Sequence, residues 1–491
     1  MPHSLANSRL QISVVWLLGL GAFLAQSDNA HSGPDQTLEE YWFRVELLGE
    51  PAGSVHETVV REAGQIREIE SKLQLRVSRF GAGVEILGSE RFRVGIPPTL
   101  DTWLRQEGGE SIARTFLFGP DSLRRRTEGR LEPLAPLPPD LILAPAIESW
   151  FRGDWAVGET RSRTEFMTDT EMLVPVDVTA EASEVWSFAN DSVTGTRFRI
   201  EVESLPELTR TEWRDRDGRL YRARTNLLGL EYVRTPGAIE SHVDGPALDR
   251  TILVPVAFDF RTESRYDRIR YRAKSKPGRP PFRPHSRVEI EIISTTRNEC
   301  VFDVFSPSLN AHQGKSFAPP PSASTLAPGP WIESEAPQIA DAAKKAVGDA
   351  QDRWEQAQRL AQFVHDHVRK KSYEVYFESA LRTLDSREGD CTEHAVLLAA
   401  LARAIDIPAR VVSGWIGIEG QMGYHLWTEV NVGGNWIGVD GVFARAPVDA
   451  RYLPLAVSDL SGGTFSELTL AVLRSLGEVE IEVLDVEKTT D

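Results

Sequence analysis

Two different periods of apolar residues divide the chain. Between Glu39 and about Ala318, Ile69, Leu73, Leu75 and Val77 share one parity, as do Phe198, Ile200 and Val202, and again Val288, Ile290 and Ile292. Such alternation predicts half-buried antiparallel strands. Asp217-Gly218, set between the runs 209–216 and 219–225, supplies the positive φ angles of a tight hairpin. A β-rich region is therefore expected over residues 33–318, as one sheet or as two divided near the Pro-rich stretch from Leu134 to Pro145.

Residues 319–330 carry Pro319, Pro320, Pro321, Pro328 and Pro330 among Ser and Ala, a composition that continues neither sheet nor helix and predicts a stiff linker. Beyond it the period becomes 3.6. Trp354, Ala357, Leu360, Ala361, Val364 and Val368 form one stripe, which predicts a helix over 349–370 in a second domain, 331–491. His365 and His367, two apart on that helix, point to different faces and do not make a shared metal site. The fold class is thus α+β, an antiparallel β-rich region followed by a mixed domain.

At the start, Ile12 to Ala25 is a largely apolar run with one cation, Arg9, before it. It is short for a spanning helix, and Ala25 and Ser27 offer small residues at the positions a signal peptidase reads. Residues 1–27 read as a signal peptide, with retention as an amino-terminal membrane anchor left open. Both place the bulk outside the cytoplasm, in the periplasm or at the cell surface.

Acidic side chains number 72 against 55 basic ones, a net charge of −17, which opposes a nucleic-acid-binding role. Against that background Arg261 to Arg287 holds ten Lys and Arg with only Glu263 and Asp267. This stretch reads as a solvated strand face, or as a patch toward an anionic cell-envelope polymer or lipid. The two cysteines lie in no cluster of zinc-site spacing, and no cofactor is predicted. A Cys300–Cys391 disulfide is permitted outside the cytoplasm, but Cys300, beside the run Val301 to Phe305, reads better as a small buried apolar residue.

Cys391 opens the Ala/Leu-rich run that ends before Pro408, which puts its thiol at a helix amino terminus. There, unpaired N–H groups and the helix dipole are expected to lower the thiol pKa. Downstream, Gly433-Gly434 separates two alternating runs, a two-residue hairpin signal. Pairing Val432 with Asn435 sets Asp440 opposite Trp427 and makes His425 and Asp440 diagonal neighbours, within reach of an imidazole–carboxylate contact. Cys391, His425 and Asp440 then have the types needed for nucleophile, base and orienting carboxylate. His394, one turn past Cys391, is a second candidate base. Tyr373 and Trp354 are candidates for an oxyanion donor, although Trp354 also belongs to the apolar stripe. Arg410 reads as a structural charge partner.

Gly389-Asp390-Cys391, the helix after it, Ile407-Pro408-Ala409-Arg410-Val411-Val412, His425-Leu426-Trp427 and the run Trp436 to Asp440 together resemble the core of the bacterial transglutaminase-like superfamily, over about Pro330 to Asp440. The resemblance implies a papain-like α/β core and thiol acyl chemistry on amides of a protein or peptide: hydrolysis, deamidation or transamidation. It assigns Cys391 as nucleophile, His425 as base and Asp440 as orienter. Some members of the family only bind, so a non-catalytic cell-envelope interaction module on the same scaffold is the alternative. Nothing in the resemblance reaches residues 33–318.

Overall fold

Alternation along Gln36–Leu47 puts Tyr41, Phe43, Val45 and Leu47 on one buried face, and in the computed structural model the same rule builds thirteen further strands up to Thr235. The structure describes residues 36–79, 82–106, 111–127, 130–168, 171–203, 208–226, 229–239, 245–246, 253–261, 264–276, 282–285, 289–307, 320–369, 378–461, 468, 471, 475 and 479–488. The proposed signal segment 1–27 lies outside them. Chain contacts divide the described residues into two compact units, with the division at 249/250.

In the first unit the fourteen strands make one antiparallel sheet of two meanders, eight strands from Gln36 to Pro136 and six from Thr160 to Thr235. The meanders fuse where Gln36–Leu47 pairs with Glu231–Thr235, Trp42 facing Thr235. The Pro-rich stretch from Leu134 to Pro145 is therefore a change of meander and not of sheet. Proline cannot continue a ladder, but the chain beyond it re-enters the same sheet: Ile142 N–H bonds the Thr164 carbonyl at 3.0 Å and Thr164 N–H the Asp140 carbonyl at 3.1 Å. That segment covers the edge strand Thr160–Met167. The sheet curls enough to bring Phe116 edge-to-face with Phe166, 4.9 Å between centroids, although their strands are far apart in sheet order. Asp217-Gly218 lies in the turn between Arg210–Asp215 and Leu220–Thr225, which is wider than the two residues expected, Arg214 facing Leu220 across a register shift. Gly218 has φ +86°, and a Cβ there would lie 2.2 Å from the Glu148 carbonyl oxygen.

Buried charge in this unit is mostly paired. Arg210 bonds Glu165 and Glu212, both at 2.7 Å, and Arg214 bonds Glu212 at 2.6 Å. Glu90 is different. Thr168 donates to it at 2.8 Å, but among the described residues no cation pairs with it, and burial pushes its carboxyl up to about 8. Because the folded state holds a proton that the unfolded chain releases near the ordinary value of 4.5, the stability of this unit should fall as pH rises from about 4.5 to 8. The loss by pH 7 should be about 3 kcal/mol. Urea unfolding at pH 5 and pH 8 should show the decline, and Glu90→Gln should flatten it; an equal decline in the variant would remove Glu90 as the cause.

The second unit combines helices with two antiparallel sheets. The helix Arg353–His367 begins at Asp352, whose side chain accepts the Glu355 N–H at 2.9 Å, and buries Ala357, Leu360, Ala361 and Val364 of the predicted stripe. Beside it runs the helix Cys391–Arg403, buried along its whole length. One sheet is ordered Leu253–Pro255, Gln421–Val432, Ala409–Ile418, Tyr452–Ser458, with Asn435–Val439 hairpinned onto Gln421–Val432. The other is ordered Ile290–Thr295, Glu299–Phe305, Tyr266–Ser275, Val479–Lys488.

This arrangement differs from the boundary expected at 319–330. The strands between 253 and 305 share sheets with strands of the carboxy-terminal half, Leu253 facing Gly423 and Ile269 facing Val486. A period of two marks a strand but not its partner. Residues 320–330 are likewise packed down: Thr325 is buried, and Arg403 donates to the Ala327 carbonyl at 2.7 Å. Of the run Val288, Ile290, Ile292, Val288 lies outside the described residues and Ile292 is 45% exposed on an edge strand. Within the basic stretch, Arg268 pairs with Asp303, Asp485 and Glu487, Arg270 with Asp303, and Arg272 with Glu482 and Glu299. Arg287 is outside the described residues. No helix among those described is long and apolar enough to cross a membrane.

Candidate active site

The site is organised around the first turn of the helix Cys391–Arg403. Asp390 is its N-cap: Oδ1 accepts the Thr392 N–H at 2.8 Å, while Glu393 folds back so that its Oε2 accepts the Asp390 N–H at 2.8 Å. The other Glu393 oxygen accepts the Glu378 N–H at 3.1 Å. This capping box satisfies donors that a helix start leaves unpaired. It also explains Gly389, where a Cβ would fall 2.3 Å from the Glu393 Cβ. Cys391 is thereby fixed as the first residue of the helix.

Strand Gln421–Val432 brings His425 to this turn. Thr428 donates to the Ala395 carbonyl at 2.7 Å, tying strand to helix, and the Leu426 amide, next along from His425, hydrogen-bonds the Cys391 thiol. The hairpin closes in the predicted register, Val432 facing Asn435 and Thr428 facing Val439, with Gly433 and Gly434 at φ +61° and +85°. Positive φ at both central residues is what a type I′ turn demands. Asp440 follows the last strand residue, and His425 Nε2 lies 2.8 Å from its Oδ2.

Asp440 is held from three sides. Besides His425, the Tyr452 hydroxyl donates to Oδ2 at 2.7 Å and the Val442 N–H to Oδ1 at 2.7 Å. Burial pushes this carboxyl up, but the His425 charge and these hydrogen bonds outweigh it and hold it below the ordinary range. Whenever His425 is neutral, an ionised Asp440 keeps the ring proton on Nε2 and leaves Nδ1 as the accepting nitrogen. Nδ1 is buried and has no hydrogen-bond partner among the described residues. Trp427, Phe443 and Tyr452 surround the ring, with centroids 6.3, 5.5 and 6.1 Å away.

The Cys391 thiol departs from the expectation of a lowered pKa. Burial pushes it up, the charges of Asp390, Glu393 and Asp440 add to that, and the Leu426 amide opposes them without prevailing. The helix dipole is a surface-sized effect; here the thiol is 2% exposed and the cap itself carries a carboxylate.

The remaining candidates separate cleanly. His394 turns its Nδ1 to the Asp390 carbonyl. His365 and His367 bond the Val442 and Leu384 carbonyls at 2.9 and 2.7 Å, well apart in the chain. Trp354 is half-buried in the first turn of its helix, and Tyr373 lies outside the described residues. Arg410 is a structural partner, its Nε 2.8 Å from Glu429 and its guanidinium over Trp436. Cys300 is fully buried and neither cysteine forms a disulfide. Two residues escaped sequence reasoning. Glu393 carried a signal, the D-x-x-E spacing of a capping box; Tyr452 carried none, because it reaches Asp440 from a separate strand.

No curated protein matches the sequence. Among solved structures, a candidate cysteine protease from Cytophaga hutchinsonii is 17% identical, covering 46% of this chain and 86% of its own, with a TM-score of 0.28. The periplasmic domain of TgpA from Pseudomonas aeruginosa, bound to ethylmercury, is 15% identical over 38% of this chain and 92% of its own, TM-score 0.25. A β-barrel-like protein of unknown function from Brucella abortus is 7% identical over 41% of this chain and 94% of its own, TM-score 0.31. The model of the transglutaminase-like superfamily matches residues 340–441, a span that contains Cys391, His425 and Asp440, and the chain therefore carries a transglutaminase-like domain there.

Proposed function

We propose that this chain is an exported enzyme that transfers acyl groups from amide bonds of a cell-envelope protein or peptide through a Cys391-His425-Asp440 triad. The observation that carries this reading is the His425–Asp440 contact at 2.8 Å, with His425 Nδ1 unpartnered among the described residues and the neighbouring Leu426 amide on the Cys391 thiol. The short apolar run at the amino terminus supports export.

Because the thiol is held protonated, activation follows general-base catalysis instead of a standing thiolate. As sulfur attacks the amide carbonyl carbon, the thiol proton passes to His425 Nδ1. The resulting imidazolium is stabilised by the Asp440 carboxylate. Negative charge on the former carbonyl oxygen is received at the helix start, where the Cys391 N–H is the natural donor. Collapse breaks the C–N bond, His425 returns the proton to the departing amine, and a Cys391 thioester remains. Water then yields an acid, or an amine yields a new amide. Both routes regenerate the thiol.

Iodoacetamide with mass mapping tests the coupling. Cys391 should take the label, Cys300 should not, and His425→Ala should slow Cys391 alkylation at least tenfold. Unchanged alkylation in His425→Ala would uncouple the two residues and leave the non-catalytic interaction module as the reading.

A further inference from the structure

The interior of the amino-terminal sheet is not filled. Ile69, Phe92, Leu100, Phe118, Phe166 and Leu208 are among the residues that wall a cavity of about 60 Å3. At roughly 10–15 Å3 for each water-sized group, that is room for about four to six such groups. The volume suits a short chain and excludes a fused ring system. Apolar walls of this kind do not retain water unless polar groups converge on it.

Three ionisable side chains reach the lining, Glu90, Glu165 and Arg210. Two of them are committed to each other, since Arg210 bonds both Glu165 oxygens at 2.7 and 2.9 Å and turns its Nε to Glu212 at 2.7 Å. Glu90 has no such partner among the described residues. Thr168 donates to Oε1 at 2.8 Å, and Ser71, which faces Glu90 across the strand pair, gives its own hydroxyl to Glu57 at 2.8 Å. A solitary carboxyl in an apolar wall keeps its proton, and a protonated carboxyl is a hydrogen-bond donor.

We propose that this cavity binds a single acyl chain, its methylenes against the apolar wall and its ester or amide carbonyl accepting a hydrogen bond from Glu90. The class of ligand follows from the lining. A cavity so poor in uncommitted polar groups selects against charge, because stripping water from an ion costs far more than stripping it from an ester. A neutral carbonyl matches a neutral donor. The site does not depend on Cys391, and its failure would leave the reading of the triad untouched.

Calorimetric titration of the full chain with methyl formate, methyl acetate and methyl propanoate tests the assignment. Each added methylene should tighten binding about fourfold while the cavity accepts it. Propanoate and propylammonium should each bind at least tenfold more weakly than methyl propanoate. Val174→Phe, which projects into the cavity, should abolish ester binding; its far-ultraviolet circular dichroism and melting temperature report whether it is folded. Glu90→Gln keeps a neutral donor and should still bind the ester.

The pH profile separates a specific donor from apolar partition. The charged groups facing Glu90 are Glu165 and Arg210 across the cavity, with Glu57 behind Ser71. Arg210 and Arg163 hold Glu165 at about 2 despite its burial, and the two carboxylates Glu165 and Glu212 keep Arg210 charged. Ester binding by the native chain should therefore weaken as pH passes about 8, where Glu90 ionises, and binding by Glu90→Gln should stay level. Tighter binding of propylammonium or of propanoate than of the ester, a flat profile in the native chain, or undiminished binding in folded Val174→Phe would each overturn the proposal.

Discussion

A fragment that begins at Gly329 should not fold, whereas one spanning residues 250–491 should unfold in a single cooperative step. The shorter piece contains the whole match to the transglutaminase-like superfamily, but it lacks the strand Tyr266–Ser275, which lies between Val479–Lys488 and Glu299–Phe305 in their sheet. Phe260, Tyr266, Ile269, Tyr271 and Phe302, all fully buried, would go with it. At about 1.5–3 kcal/mol for each large apolar side chain, their loss comes to roughly 8–15 kcal/mol, as much as the whole stability of a domain. The losses also reach the sheet that carries His425. Tyr271 donates to the Ala450 carbonyl at 3.3 Å, Ala450 N–H bonds the Tyr266 carbonyl at 3.0 Å, and Phe260 packs against Gly417, where a Cβ would lie 2.6 Å from its ring. Urea titration followed by circular dichroism distinguishes the outcomes. A cooperative transition in the fragment from Gly329 would show that the strands before it are an addition and not part of the core.

Asp440→Asn should reduce turnover about a thousandfold to ten-thousandfold with the fold intact. The size of the effect follows from how Asp440 is held. Its Oδ1 accepts the Val442 N–H, so the asparagine carbonyl oxygen must take that position and its NH2 must face His425. An NH2 donates, which forces His425 Nε2 to accept and moves the ring proton to Nδ1. The nitrogen that should remove the thiol proton is then already protonated. The variant also loses the negative charge that stabilises the imidazolium. In Asp440→Asn the NH2 cannot accept from the Tyr452 hydroxyl, but its second hydrogen can be donated to the Tyr452 oxygen, so the melting temperature should change little beside the loss of rate. Cys391 alkylation by iodoacetamide provides the assay in advance of a known substrate. A rate in Asp440→Asn within twofold of the native rate would show that the carboxylate does not set the tautomer.

What the sequence determined by itself was local. The stripe from Ala357 to Val368 named a helix face, because residues three and four apart meet whatever else the chain does. The turn Gly433-Gly434 set the register of its hairpin, and with it the meeting of His425 and Asp440, because fifteen residues joined by a tight turn leave almost no other geometry. Asp390 and Glu393 likewise specify the helix start that holds Cys391. Tertiary structure decided the rest. Alternation showed that Tyr266–Ser275 has one buried face, but only packing joined it to Val479–Lys488 across some two hundred residues. The dipole of a helix start favours a thiolate, yet the surrounding burial and carboxylates keep Cys391 protonated. Tyr452 reaches Asp440, and Glu90 reaches the cavity, through contacts with no signature along the chain. Local periodicity constrains a residue's own neighbours in sequence, whereas partner strands, desolvation and enclosed space are properties of residues brought together from far apart.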